Sequence, residues 1–130
     1  MILDTSFLID LFDGQEAAFE KAIEISESAS VQRVPAPVVM ELSYGVAFGD
    51  EEERRKVRNA LSMYPIVPQD ETIAQRAGEL LARADRDAGG ESGIDKVDPM
   101  IAAVGDVESD PILTANTADF LALGVDVERY

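Results

Sequence analysis

Four carboxylates in this chain are placed where they could act together on a phosphate ester. Each stands where a short apolar run gives way to a helical pattern, or on the helix that follows, and they are Asp4, Glu41, Asp98 and Asp119. If the apolar runs are parallel strands, their carboxyl ends meet at one edge of a sheet, and the four side chains converge there. Carboxylate oxygens are the ligands that Mg²⁺ and Mn²⁺ prefer, so the pattern predicts a divalent-cation site suited to phosphodiester chemistry.

The rest of the composition narrows the chemistry that the chain can perform. It contains no histidine and no cysteine, which removes imidazole bases, thiolate nucleophiles, disulfides and Cys-based zinc sites. It also has no P-loop pattern, and no glycine-rich dinucleotide fingerprint follows the first apolar run. Carboxylate, hydroxyl and amine chemistry remains.

The elements that must position the acids can be read from the apolar pattern. The chain is expected to form a single domain over residues 1–130. Strands are predicted at Met1–Leu3, Val31–Ala36, Met63–Val67, Pro111–Thr114 and Val125–Val127, with helices at Ser6–Phe12, Gln15–Ser30, Pro37–Gly49, Glu51–Ser62, Glu71–Ala88, Pro99–Val107 and Thr117–Leu123. This alternation predicts an α/β fold, an α/β/α sandwich around a parallel sheet of four or five strands. The glycine-rich stretch Asp87–Gly93 is predicted to be a mobile loop.

Each acid also has an ordinary structural role open to it. Asp4 fits a turn or helix cap, and Glu41 fits the solvated margin of its helix. Asp98 precedes a proline and fits a helix N-cap, while Asn116 could cap the last helix with Asp119 in its first turn. Each position alone supports either interpretation, and the functional one depends on all four together.

The net charge bears on partners and on location. A formal charge of −15, from 26 acidic and 11 basic residues, would repel nucleic acid at ordinary ionic strength. Molar salt shortens the Debye length to about 3 Å, so we interpret the composition as that of a halophile's protein, although an acidic protein-binding module would share it. The basic cluster Arg54–Arg58 is interpreted as a solvated helix face rather than an RNA-binding patch. Without a secretion signal or an apolar span, we expect a cytoplasmic protein with no membrane contact.

Three other functions fit parts of the pattern. An aspartate-nucleophile phosphatase would place its nucleophile at Asp4, but Ser6 replaces the usual second aspartate. A phospho-receiver needs a lysine near its acids, and Lys96 stands in an apparent loop. A catalytically silent module could bind a partner helix through the first helix, which carries more apolar side chains than one buried face requires: Phe7, Leu8, Leu11 and Phe12.

Taken in order, four segments resemble the signature blocks of PIN-domain nucleases and, within that family, of the VapC toxins of toxin–antitoxin pairs. The blocks are Asp4-Thr5-Ser6-Phe7-Leu8-Ile9, Glu41-Leu42-Ser43-Tyr44-Gly45, Asp98-Pro99-Met100-Ile101-Ala102-Ala103 and Thr114-Ala115-Asn116-Thr117-Ala118-Asp119-Phe120. The match runs in the family's order across nearly the whole chain, up to Val125-Asp126-Val127, which resembles its closing strand.

The resemblance implies a fold, an activity and a set of residue roles. It implies a PIN-like sandwich, a homodimer, and Mg²⁺- or Mn²⁺-dependent cleavage of RNA by metal-activated water, inhibited by a cognate antitoxin. The catalytic and metal-binding acids would be Asp4, Glu41, Asp98 and Asp119. Hydrogen-bonding support would come from Thr5, Ser6, Thr114 and Asn116. Some members have an acidic residue where Asn116 stands, so the closer metal contact is either Asn116 or Asp119.

Overall fold

The computed structural model describes residues 1–130 and consists of five short parallel strands and seven helices. The strands are β1 (Ile2–Leu3), β2 (Val34–Pro35), β3 (Ile66–Val67), β4 (Ile112–Leu113) and β5 (Val127–Glu128). The helices are α1 (Thr5–Phe12), α2 (Glu16–Glu27), α3 (Ala36–Val46), α4 (Glu51–Leu61), α5 (Glu71–Asp87), α6 (Val97–Glu108) and α7 (Thr117–Ala122). The predicted α/β fold is confirmed, although each strand is shorter than its apolar run suggested.

The strands form two ladders that are joined at β1. One ladder has the order β1-β4-β5, with Ile2 opposite Ile112, and the other pairs β2 with β3. A parallel bridge between Ile2 and Arg33 connects them, and the Leu3 N–H donates to the Arg33 carbonyl oxygen at 2.9 Å. The strands therefore lie in the order β3-β2-β1-β4-β5, which confirms a parallel sheet at the upper end of the predicted size.

The direction of travel through the sheet reverses beside β1. From β1 the chain moves outward to β2 and β3, whereas from β4 it moves the opposite way to β5. Because parallel crossovers are right-handed, such a reversal places the connecting helices on opposite faces of the sheet. Open parallel sheets bind ligands at the carboxyl ends of their strands, at this point of reversal. In this fold it lies between the ends of β1 and β4, next to Asp4 and Thr114.

The central strands and the helices that cover them supply the core. All four residues of β1 and β4 are fully buried, as expected for parallel strands covered on both faces. In α1, Phe7 and Leu8 are also fully buried, and Leu11 and Phe12 are partly buried against the same core. The suggestion that the first helix leaves an open groove for a partner is therefore wrong for Phe7 and Leu8. Their burial is what attaches α1, and the acid before it, to the sheet.

Side-chain caps account for several helix starts and correct one prediction. The carboxylate of Asp70 accepts the backbone N–H of Ile73 at 2.9 Å, as its position at the start of α5 predicted. Asp98 is not an N-cap, because α6 begins at Val97 and Asp98 lies within its first turn. The helix extends further toward its N-terminus than predicted because Asp95 accepts the backbone N–H groups there.

None of the seven helices combines the length and apolar character needed to cross a bilayer.

Gly105 lies where α6 comes close to β4. A Cβ at this position would lie 2.5 Å from Ile112 Cδ1 and 2.8 Å from the carbonyl oxygen of Asp110. Gly105→Ala is therefore expected to lower the free energy of unfolding by about 2 kcal/mol, because the helix must move away from the strand. Chemical denaturation measures this change.

Gly78→Ala is the matched control for that substitution. Gly78 lies inside α5 with no neighbouring atom within 4 Å of an added Cβ. Alanine should therefore raise stability there by up to about 1 kcal/mol through its higher helix propensity. If both variants changed stability in the same direction and by the same amount, the close packing of α6 on β4 would be contradicted.

Candidate active site

Asp4 is held at the carboxyl end of β1 by two hydroxyl groups. The residue is only 4% exposed, and its Oδ2 accepts hydrogen bonds from Ser6 Oγ at 2.8 Å and from Thr114 Oγ1 at 2.7 Å. Asp4 occupies the N-cap position of α1, but its side chain makes no capping hydrogen bond. The ordinary capping role considered from sequence is therefore not the one that this side chain performs.

Glu41 approaches the same edge from α3. Its Oε1 accepts a hydrogen bond from Thr5 Oγ1 at 2.6 Å, which links the side chain to the start of α1. The buried side of α3 contains Val38 and Leu42, and Glu41 lies half-buried beside them, as the helical pattern predicted. The amphipathic pattern of α3 thus sets the height and direction from which this carboxylate enters the site.

Asp98 and Asp119 are bridged by one amide. Asn116 Nδ2 donates to Asp98 Oδ2 at 3.2 Å and to Asp119 Oδ2 at 2.9 Å. Asn116 stands at the N-cap position of α7, but it makes no side-chain capping bond. The predicted N-cap position is confirmed, but the Asn116 side chain donates to the two acids instead of capping the helix.

A short hydrogen-bonded path joins these two halves of the site. Ser6 Oγ and Thr114 Oγ1 lie 3.2 Å apart, and the backbone N–H of Ala115 donates to Ser6 Oγ at 3.0 Å. The N–H of Asn116 donates to Thr114 Oγ1 at 2.9 Å. The backbone after β4 thus connects the Asp4 side of the site with the Asp98 side.

The acids are close enough to affect one another's ionisation. The pKa of Asp98 is raised to about 7, first by burial and then by the negative charges of neighbouring acids, in decreasing order Asp95, Asp4, Asp119 and Glu41. Burial also raises the pKa of Glu41, with added contributions from the charges of Asp4 and Asp95, while the hydrogen bond from Thr5 opposes the shift. Concentrated negative charge of this kind favours a bound cation.

Two residues near the site were missed by the sequence interpretation. Asp95 is one, because Asp98 was taken as the helix cap that Asp95 provides. Tyr130 is the other: its hydroxyl donates to Asp10 at 2.6 Å, and its ring meets Phe7 edge-on at a centroid distance of 5.1 Å. Burial, followed by the hydrogen bond with Asp10, raises the pKa of Tyr130. A partner 120 positions away leaves no local signal in the sequence.

The donor set fits a hard divalent cation. All candidate ligands are oxygens of carboxylates, an amide or hydroxyls, which suits Mg²⁺ and Mn²⁺ and no softer metal. No three of the carboxylates form a ready-made group that could surround one ion. Mg²⁺ is commonly held by one or two carboxylates together with waters and substrate phosphate, so a complete protein cage is not required.

An open cleft of about 340 Å³ adjoins Glu41. It lies between α1, α3 and α4, and its lining includes the charged residues Asp13, Glu53 and Lys56. Its apolar lining consists of Ile9, Phe12, Leu42, Val46 and Val57. The site edge thus continues into a surface that an apolar side chain could occupy.

The raised pKa of Asp98 makes the stability of the metal-free protein depend on pH. The folded pKa of about 7 exceeds the ordinary value of 3.8, so the folded state binds more protons than the unfolded state between those values. Stability must therefore fall as pH rises from about 4 to 7. Because the side chain is partly exposed, solvent screening leaves a loss of about 1 kcal/mol.

Asp98→Asn removes this titration, so the variant should gain that amount relative to wild type between pH 4 and pH 7. Paired urea melts in the presence of a chelator measure the difference. A constant difference across this pH range would show that Asp98 titrates normally.

Comparison with known families and structures agrees with this geometry. Residues 1–124 match the family model for the PIN domain. The match includes both central strands, the point of reversal between them and all of the predicted site residues. No curated protein sequence matches the chain.

Solved structures share the fold over nearly its whole length. A toxin–antitoxin complex from Klebsiella pneumoniae is 26% identical with a TM-score of 0.73, covering 92% of this chain and 88% of that one. FitAcB from Neisseria gonorrhoeae is 25% identical with a TM-score of 0.77, covering 97% and 94%. VapC20 from Mycobacterium tuberculosis, a sarcin–ricin loop cleaving toxin, is 19% identical with a TM-score of 0.71, covering 99% and 98%.

Proposed function

The chain belongs to the PIN-domain family, and we propose that it is a Mg²⁺- or Mn²⁺-dependent endoribonuclease that acts as the toxin of a toxin–antitoxin pair. One observation carries the proposal: near the reversal point of the sheet, the charges of Asp4, Glu41 and Asp119 all act on Asp98. Acids gathered in this way repel a phosphate anion unless a cation lies between them. The arrangement is therefore useful for phosphodiester chemistry only with a divalent ion.

The substrate class is supported by the solved relatives. VapC20, which has the same fold, is a toxin that cleaves the sarcin–ricin loop, and this favours RNA as the substrate of the present chain. RNA loops and single strands offer unstacked bases and accessible phosphates, so their recognition depends on surface shape and stacking. The acidic surface makes binding strongest when salt screens its charge.

The side chains divide into acids that hold the ion and groups that orient the acids. We assign Asp98 and Asp119, bridged by Asn116, as one pair of cation-binding carboxylates, with Asp4 and Glu41 facing them. Ser6 and Thr114 hold Asp4, and Thr5 holds Glu41. Near neutral pH the raised pKa of Asp98 leaves part of it protonated, so cation binding should release a proton.

Mg²⁺ or Mn²⁺, when bound, would lower the pKa of the attacking water and stabilise the charge that develops on the phosphate. The chain has no imidazole or thiolate, so its carboxylates position groups more than they transfer protons. No side chain is expected to form a covalent intermediate. Attack by water predicts products with a 5′-phosphate and a 3′-hydroxyl.

Two protein partners are proposed for this chain, an antitoxin and a second copy of itself. The Klebsiella structure is a toxin–antitoxin complex, and we propose a cognate antitoxin that inhibits this chain in the cytoplasm. The apolar cleft beside Glu41 would accept an antitoxin side chain close to the acids. A homodimer is also proposed, because α3 and the turn after it expose an apolar stripe at Met40, Tyr44 and Phe48 that a second copy could cover.

The direct test is cleavage of total cellular RNA in molar potassium chloride, with Mn²⁺ or with a chelator, followed by mapping of new ends. Mn²⁺-dependent ends that carry a 5′-phosphate are expected. Ends that carry a 2′,3′-cyclic phosphate would show attack by the RNA itself and contradict the proposed chemistry. Absence of cleavage together with binding of an antitoxin would favour the alternative, a catalytically silent PIN-domain binding module.

A further inference from the structure

Asp95 is an acid next to the site that the proposed mechanism leaves without a role. Its Oδ1 accepts the backbone N–H of Val97 at 2.8 Å and the N–H of Asp98 at 3.1 Å. These bonds cross the start of α6, where backbone N–H groups have no partner within the helix. Because Asp98 is the second residue of α6, they hold the peptide from which its carboxylate projects.

No other side chain performs this task. Lys96 occupies the N-cap position, but its backbone is already helical, with φ −80° and ψ −12°, and its side chain makes no capping bond. Loss of a side-chain cap destabilises the start of a helix and allows its first turn to fray. Fraying at α6 would displace Asp98 directly, since it lies in that turn.

The loop that carries Asp95 is itself attached to α5. Ser92 donates to Asp85 Oδ1 twice, from Oγ at 2.5 Å and from its backbone N–H at 2.9 Å. The N–H of Ile94 then donates to Ser92 Oγ at 3.3 Å. The stretch that was predicted to be mobile is thus hydrogen-bonded to α5 at Ser92, and further hydrogen bonds follow through the loop toward Asp98.

We propose that Asp95 is a positioning residue, which holds Asp98 in the orientation that cation binding requires. This inference depends on the proposed metal-dependent function. Groups that orient a metal ligand from outside its coordination shell typically contribute about 10- to 100-fold to metal affinity. Asp95 acts through the backbone of Asp98, and the charge of Asp95 has a separate effect that a conservative substitution can distinguish.

The test measures Mn²⁺ affinity by calorimetric titration at constant molar ionic strength, alongside the melting temperature. Asp95→Ala removes the acceptor and should weaken Mn²⁺ binding about tenfold. Asp95→Asn keeps an acceptor oxygen for both N–H groups, so its affinity should stay within about threefold of wild type, because salt screens the lost charge. Ser92→Ala should weaken Mn²⁺ binding by a smaller factor than Asp95→Ala. If Asp95→Ala fails to fold, Ser92→Ala still tests whether the loop positions Asp98.

Asp70→Ala is the matched control, because Asp70 caps α5 by the same kind of bond and does not touch the acids. It should lower the melting temperature without changing Mn²⁺ affinity. Equal loss of affinity in Asp70→Ala and Asp95→Ala, unchanged affinity in Asp95→Ala, or an equal loss in Asp95→Asn and Asp95→Ala would each overturn the inference. A wild type that binds no Mn²⁺ would instead refute the metal-dependent function, and the inference with it.

Discussion

Asp4→Asn is expected to lower Mn²⁺-dependent RNA cleavage by about a thousandfold, which corresponds to about 4 kcal/mol of transition-state stabilisation. The substitution removes one negative charge from the point where the carboxylates meet. It preserves the size of the side chain, and an amide oxygen can still accept hydrogen bonds from Ser6 and Thr114. The fold should therefore be retained while cation binding is weakened and cleavage falls.

The matched control for this prediction is Asp126→Asn. Asp126 is an exposed acid that precedes β5, at the opposite end of the strands from the site. Its replacement changes the net charge by the same amount and should leave the cleavage rate unchanged. Rates are compared with a defined RNA under single-turnover conditions, and circular dichroism checks the fold. If both variants lose activity to the same degree, overall charge rather than the acidic cluster controls cleavage.

Mn²⁺ is expected to raise the melting temperature of the wild type by roughly 10 °C at a concentration about 100 times its dissociation constant. The stabilisation arises because the ion binds the folded acids and relieves their mutual repulsion, which the unfolded chain lacks. Asp4→Asn and Asp98→Asn should each show less than half of that shift. Differential scanning fluorimetry at constant high ionic strength separates specific binding from general screening of the −15 charge.

Asp126→Asn again provides the comparison, with a shift equal to that of the wild type. Equal shifts in all four proteins would mean that Mn²⁺ binds elsewhere or acts only as an electrolyte. A shift in the wild type without RNA cleavage would separate metal binding from catalysis. That result would favour the silent module over the nuclease.

The sequence allowed the predicted site residues to be placed along the fold because their signals are local. Asp4 follows β1 directly, and Thr114 and Asn116 follow β4, so once the strands are parallel the topology brings them to one edge. Glu41 could be placed because the apolar period of α3 sets its direction. The roles of these residues as metal ligands remain proposals that the experiments above address.

The local sequence could not decide which residue caps α6. Asp95 and Asp98 are both acceptable caps by residue type, and a proline after Asp98 favoured the wrong one. The outcome depends on where α6 packs, since Asp98 within the first turn faces the other acids while Asp95 can reach two backbone N–H groups. Capping energies of about 1 kcal/mol are small enough for tertiary packing to override.

The order of residues along the chain was sufficient to predict an α/β fold, the approximate positions of its strands, the lack of imidazole and thiol chemistry, and a set of four acids as candidates for the site. Only the tertiary structure shows which hydroxyl donates to which carboxylate, that Asn116 bridges two acids, and that Tyr130 donates to Asp10. The first set depends on residue type and short-range periodicity. The second depends on contacts between residues up to 120 positions apart, and the raised pKa of Asp98 exists only once burial and like charge have been brought together.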